Sequence, residues 1–163
     1  MSINGFTGRL MCWVVIFIAL TSFTACTSRD VELEKLLTEK FEQLKSSKAL
    51  SMDLNDVLDK NWRKFCVQSA YDIKKDFNKD SGEQVNRLLD ISENELAIWV
   101  FYNDDSIQTA ILQRNLLDFR VSTSEDGSPM ICASKKNSHL YISEYKQNEV
   151  LVRKAFYFKI NDN

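Results

Sequence analysis

The sequence predicts an α+β domain: a curved antiparallel sheet of about six to eight strands, folded towards a sandwich, with an N-terminal amphipathic helix and one short helix against it. Three observations predict it. Apolar residues recur at three- and four-residue steps as far as Lys48, and beyond about Asn55 the period changes to strand-like alternation. The later segments are separated by short polar connections, "NDD", "EDGSP", "KKN" and "KQN", which suit antiparallel neighbours better than parallel crossovers. One segment, "ELAIWVFYN", is apolar on both faces, with Leu96, Ile98 and Val100 on one side and Ala97, Trp99 and Phe101 on the other. Such a strand belongs in the middle of a sheet, covered on both sides.

The chain opens with "MSINGFTGR", in which Arg9 is the only charged side chain, and then runs apolar from Leu10 to Leu20. That is about eleven residues, inside the roughly 7–15 of a signal-peptide core and short of the ~20 that span a bilayer. The residues that follow, Phe23, Thr24, Ala25 and Cys26, resemble the lipobox of bacterial lipoproteins, with Phe23 where Leu is usual. The resemblance implies lipid transfer to the Cys26 thiol, cleavage before it and acylation of the freed amine, so that several acyl chains hold the protein in the membrane. Thr27 follows Cys26 in place of the Asp that commonly retains such proteins at the inner membrane, so the outer membrane is the expected address, facing the periplasm. An ordinary signal peptide, or a short buried helix with an incidental cysteine, is the alternative reading. Residues 1–25 are thus expected to be a lipoprotein signal peptide, 26–57 a lipidated N-terminus with helix and linker, and 58–163 a single α+β domain.

Removing residues 1–25 takes away Arg9 and no acid, so the formal net charge moves from −2 to −3. No basic field remains of the kind that neutralising several phosphates requires, which argues against a nucleic-acid partner. About 138 residues are left, enough for one domain with a real core. Of four cysteines, Cys12 leaves with the signal and Cys26 carries lipid; Cys66 in "KFCVQ" and Cys132 in "PMICAS" remain. In an oxidising envelope they read as one disulfide. The rival is a pair of unlinked buried thiols, and a metal site is weaker still, because two thiols and His139 supply at most three zinc ligands without close pairing.

Between Arg29 and Lys48, Leu33, Leu36, Leu37, Phe41 and Leu44 form the stripe of an amphipathic helix that Asp30 can cap, with acids in its first turn. Such a helix either packs on its own domain or spaces it from the membrane; a coiled coil or membrane-surface element is the functional alternative. "KALSMDLNDVL" connects it to the first strand, "RKFCVQSA". In "YDIKKDFNKDSG", Asp72 as cap, Ile73 and Phe77 four apart, and Gly82 after the last turn mark a short helix. The remaining strand candidates are "QVNRLLDIS", "ELAIWVFYN", "SIQTAILQRN", "LLDFRVSTS", "SPMICAS", "SHLYISEY" and "EVLVRKAFYFKI".

Within this stretch, Trp62, Cys66, Val67, Tyr71 and Gly82 resemble a recurrent segment of small uncharacterised bacterial envelope proteins, in which a Trp precedes a short strand and a short helix ends in Gly. Arg63 stands where an acid is usual, and Ala70 where Pro is. The resemblance covers about 25 residues and implies strand, helix, strand; it implies no catalytic residue.

Little chemistry is legible. His139 is the single histidine of the chain, and alternation with Leu140 and Ile142 turns it outward. No nucleophile elbow or phosphate-binding glycine loop accompanies it. Asp104 and Asp105 are adjacent between two strands, which reads as a hairpin turn; a glycosidase pair would face across a cleft, and a calcium loop with Asp126 lacks the alternating ligands. No catalytic residue, metal or cofactor is therefore expected. Interfaces favour Tyr, Trp and Arg, so the aromatics Trp62, Tyr71, Tyr141, Tyr145 and Tyr157 with Lys135, Lys136, Arg153 and Lys154 are the better lead, although most such rings end in the core. The sequence thus predicts a lipid-anchored, non-catalytic protein that meets a protein partner. An immunity or inhibitor lipoprotein against a toxin or hydrolase, and a carrier of a small apolar ligand, are the alternatives.

Overall fold

A computed structural model describes residues 29–47, 49, 51–114, 118–119, 122–123, 129–147 and 150–158. Cys26 and the lipobox-like residues lie outside them, as does Asp126. Among the described residues no helix is long and apolar enough to cross a membrane.

Helix α1 spans Val31–Ser46, and its predicted cap holds: the Asp30 carboxylate accepts from the backbone N–H groups of Glu32 and Leu33, both at 3.0 Å. A cap of this kind stabilises a helix by about 1 kcal/mol. Leu33, Leu37, Phe41 and Leu44 are buried, so α1 packs on its own domain.

Among the described residues the strands form two sheets and a ribbon. In the first sheet the order is β4 (Ile107–Gln113), β3 (Glu95–Tyr102), β2 (Trp62–Gln68) and β8 (Cys132–Ser134), antiparallel throughout. In the second, β1 (Ser51–Asp53), β9 (His139–Gln147) and β10 (Val150–Phe158) are antiparallel, and the two-residue β5 (Asp118–Phe119) joins β10 in parallel. A small ribbon pairs β6 (Ser122–Thr123) with β7 (Pro129–Met130).

The α+β class stands; in place of one sheet of six to eight strands folded towards a sandwich, the described residues form two separate sheets of four strands each. The division has a local cause. A 3₁₀ turn over Lys135–Asn137 separates β8 from β9, and the Ser138 carbonyl then accepts from Leu54 N–H, so the chain leaves the first sheet and enters the second beside β1. Strand β1 falls in the stretch expected to be a connection.

Both faces of the first sheet are covered, as the apolar pattern of β3 predicts. Leu96, Ile98 and Val100 join one core with the α1 leucines, Phe65, Leu140, Ile142 and Phe156. That core therefore draws on α1 and both sheets, and Leu33, Leu37, Phe41, Leu44 and Leu54, in the 26–57 stretch expected ahead of the domain, are built into it. Phe41 of α1 meets Phe156 of β10 edge to face, ring centroids 5.1 Å apart. Ala97, Trp99 and Phe101 belong to a second core with Cys66, Phe77 and Val85.

The second cover comes from helix α2 (Lys74–Ser81) and the segment after it. Gly82 ends α2 with φ 67°, a left-handed cap that glycine adopts without a Cβ penalty. Asp72 is not the N-cap. Ile73 occupies that position, and Asp72 instead closes the preceding turn by accepting from Ser69 N–H at 2.7 Å and Ser69 Oγ at 2.8 Å. "QVNRLLDIS" is not a strand either. Its apolar residues Val85, Leu88, Leu89 and Ile91 do not alternate, and its backbone is bound by side chains: Gln68 bonds both Leu89 N–H (3.2 Å) and Leu89 C=O (2.8 Å), and Asn78 bonds Val85. The Gln68 amide oxygen also accepts from Trp99 Nε1 at 2.9 Å, which satisfies both of these buried side chains.

Candidate interaction surface

Cys66 and Cys132 are joined in a disulfide. They face each other across β2 and β8, with Cα atoms 4.1 Å apart. Their neighbours Val67 and Ile131 share a backbone hydrogen bond, so the cysteines occupy the non-hydrogen-bonded type of cross-strand site, where the strands bring Cα atoms closest.

Asp104 and Asp105 form the β3–β4 hairpin turn. Tyr102 and Ser106 bond across it, the Asp104 carboxylate accepts from Ser106 N–H (3.1 Å) and Oγ (2.6 Å), and Asp105 has φ 63°. The bonds from Ser106 hold the Asp104 carboxyl below its ordinary range. The Asp105 carboxylate lies 3.7 Å from Arg63 Nη2.

Of the expected exposed aromatics, Trp62 is wholly buried. It starts β2, where the strand enters the main core, and alternation alone could not distinguish core from surface there. Tyr71 is 70 % exposed and stands near Ile73, 59 % exposed, in the loop before α2. The side chains of Tyr145, Arg153 and Lys154 lie outside the description, although the β9–β10 register sets Arg153 opposite Tyr145. Lys135 and Lys136 are exposed on the 3₁₀ turn, and Lys135 donates to the Lys60 carbonyl.

The outer face of the second sheet gathers the rest. Leu140, Ile142 and Phe156 point into the core, so His139, Tyr141 and Tyr157 point out. The rings form a row: His139 to Tyr141 is 6.2 Å between centroids along β9, and Tyr141 to its cross-strand partner Tyr157 is 5.8 Å. All three are half-buried. Asp53, opposite His139 on β1, brings a carboxylate oxygen to 4.0 Å from His139 Nε2. Burial raises the Asp53 pKa, but bonds from the Ser138 hydroxyl and Asn55 N–H, with His139 nearby, outweigh it and leave the carboxyl below its ordinary range. This face offers aromatic area, an acid and a histidine on a rigid sheet.

A second charged group was not legible in the sequence. A bulge between Trp62 and Lys64 lets consecutive residues of β2 reach one carboxylate: Arg63 forks onto Glu83, with Nη2 at 2.9 Å, and Lys64 Nζ lies 3.1 Å from Glu83. Arg63 Nε also donates to the Tyr102 carbonyl at 2.9 Å, and its guanidinium lies over Phe101 at 5.7 Å. Arg63 therefore finds its acid twenty residues along the chain.

Comparisons with protein families, with curated proteins and with solved structures find no match.

Proposed function

We propose that this chain is a lipid-anchored, non-catalytic protein of the bacterial cell envelope that presents a compact, disulfide-closed domain to a protein partner. The observation that carries the contact reading is the half-exposed ring pair Tyr141–Tyr157 on the outer face of the second sheet. Aromatic rings on a rigid surface supply contact area at small entropic cost and are enriched where binding energy concentrates. The lipobox-like sequence before Cys26 supports the anchor, and an outer-membrane, periplasm-facing location accompanies it. An immunity or inhibitor role is one form of the same reading. Both clefts described are open and carry acids beside their apolar residues, and Tyr102 is the one aromatic ring in their linings, which favours a protein partner over an apolar ligand.

Two experiments test the two halves. Cells fed a clickable fatty acid should label the wild-type protein, and Cys26→Ser should lose both label and membrane fractionation; a Ser variant that stays an integral membrane protein refutes the lipid anchor. For contact, the cellular phenotype of a deletion should survive His139→Ala and the Asp104→Ala/Asp105→Ala pair, and should be lost in Tyr157→Ala at unchanged folding and abundance. Loss of the phenotype in His139→Ala with Tyr157→Ala fully active would overturn it.

A further inference from the structure

Two clefts open beside α1, and they differ in charge. The larger, about 360 Å³, lies between the first turns of α1 and the 57–59 segment, with Tyr102 and Gln108 on its side. Its volume is at the lower end of the ligand-site range of about 300–1,000 Å³. Leu33, Leu36, Val57 and Leu58 give it an apolar lining, and Asp30, Glu32 and Asp59 give it three acids with no cationic side chain among the lining residues. The smaller cleft, about 330 Å³, carries Lys40 beside Asp53 and Asp56, so part of its charge is offset from within.

We propose that the larger cleft receives a lysine or arginine side chain of a partner protein. The lining matches that side chain along its length, because an aliphatic stem can lie on the leucines and Val57 while its charged head reaches the acids. The polar wall is fixed in advance. The Tyr102 hydroxyl donates to Gln108 Oε1, Gln108 Nε2 donates to Asp30 Oδ2 at 2.9 Å, and Asp30 is already held by its capping bonds. Asp59 is held by accepting from Asn61 N–H at 2.9 Å. Burial first, then the charges of Asp59, Asp30 and Asp104, push the Tyr102 phenol above its ordinary pKa. A bare metal ion fits less well, since among the described residues no three His, Cys, Asp or Glu side chains converge as ligands.

The inference rests on the reading of the protein as one that works by contact, and its test addresses the cleft alone. The full chain in detergent, with labelled Leu and Val methyl groups, is titrated with the peptides Ac-Leu-Lys-Leu-amide and Ac-Leu-norleucine-Leu-amide and with spermine. The lysine peptide should shift the methyl signals of Leu33, Leu36, Val57 and Leu58 to saturation, the norleucine peptide should not, and Glu32→Gln/Asp59→Asn should weaken the lysine peptide about tenfold with the rest of the spectrum unchanged. Glu32 and Asp59 are exposed, so the fold survives their replacement. Equal shifts by the norleucine peptide, no saturable shift at these methyls, or tighter binding of spermine than of the lysine peptide would each overturn the proposal. Failure here leaves lipidation and the aromatic face standing, because neither enters the titration.

Discussion

Breaking the Cys66–Cys132 bond should be the most damaging single covalent change available to this domain. The bond ties β8, a three-residue strand at the edge of its sheet, to β2, its partner strand there. It closes a loop with a sequence separation of 66. On the chain-entropy account, closing a loop of that length removes enough freedom from the unfolded chain to stabilise the fold by about 4 kcal/mol at 25 °C. Unfolding a domain of this size carries an entropy of roughly 0.27 kcal/mol per kelvin, so losing the cross-link should lower Tm by about 10–15 °C. The assay compares thermal unfolding of the oxidised chain, the same chain kept reduced, and Cys66→Ala/Cys132→Ala. Mass spectrometry of the oxidised sample should read two hydrogens below the reduced one. The reduced wild type isolates the cross-link, because every side chain is kept; the double variant adds the small loss of packing at fully buried Cys66. A reduced chain that melts within about 3 °C of the oxidised one would refute the loop-closure argument, and readily reactive thiols in the oxidised protein would refute the pairing itself.

Gln68→Met keeps the length of the side chain but removes the amide that serves Trp99 Nε1 and both backbone groups of Leu89. Buried polar groups left without partners cost about 1–3 kcal/mol each, part of which half-buried Leu89 recovers from water, so urea unfolding should show a loss of about 2–4 kcal/mol; wild-type stability would mean that the 83–91 segment is held in some other way. The hydrogen bonds from Arg29, against the opposing effect of partial burial, keep the Glu34 carboxyl below its ordinary 4.5. A depressed carboxylate contributes stability above its unfolded pKa and loses it as pH falls through the folded value. Glu34→Gln should therefore destabilise at pH 7 and make no difference well below pH 4, as read from urea midpoints across that range; an equal effect at both ends would remove the ion pair as the cause.

Local chemistry determined much of this protein from sequence. The helix stripe with its Asp30 cap, the Gly82 terminus, the doubly apolar β3 and the Asp104–Asp105 turn were all legible, because each depends on neighbours within a few residues. The Cys66–Cys132 pairing was also legible, because on the expectation that Cys12 leaves with a signal and Cys26 carries lipid no other partner remains for either thiol. Residues joined across long separations could be decided by tertiary structure alone. Gln68 replaces strand pairing for Leu89, the 3₁₀ turn at Lys135–Asn137 splits one expected sheet into two, and a bulge aims Arg63 and Lys64 at Glu83. The acidic cleft is the extreme case. Asp59, Tyr102 and Gln108 are unremarkable where they stand in the chain, Asp30 is marked there only as a helix cap, and they meet because α1 lies along β4 at the edge of the first sheet. Periodicity reports which face of an element is apolar; it carries no information about which other element that face will meet.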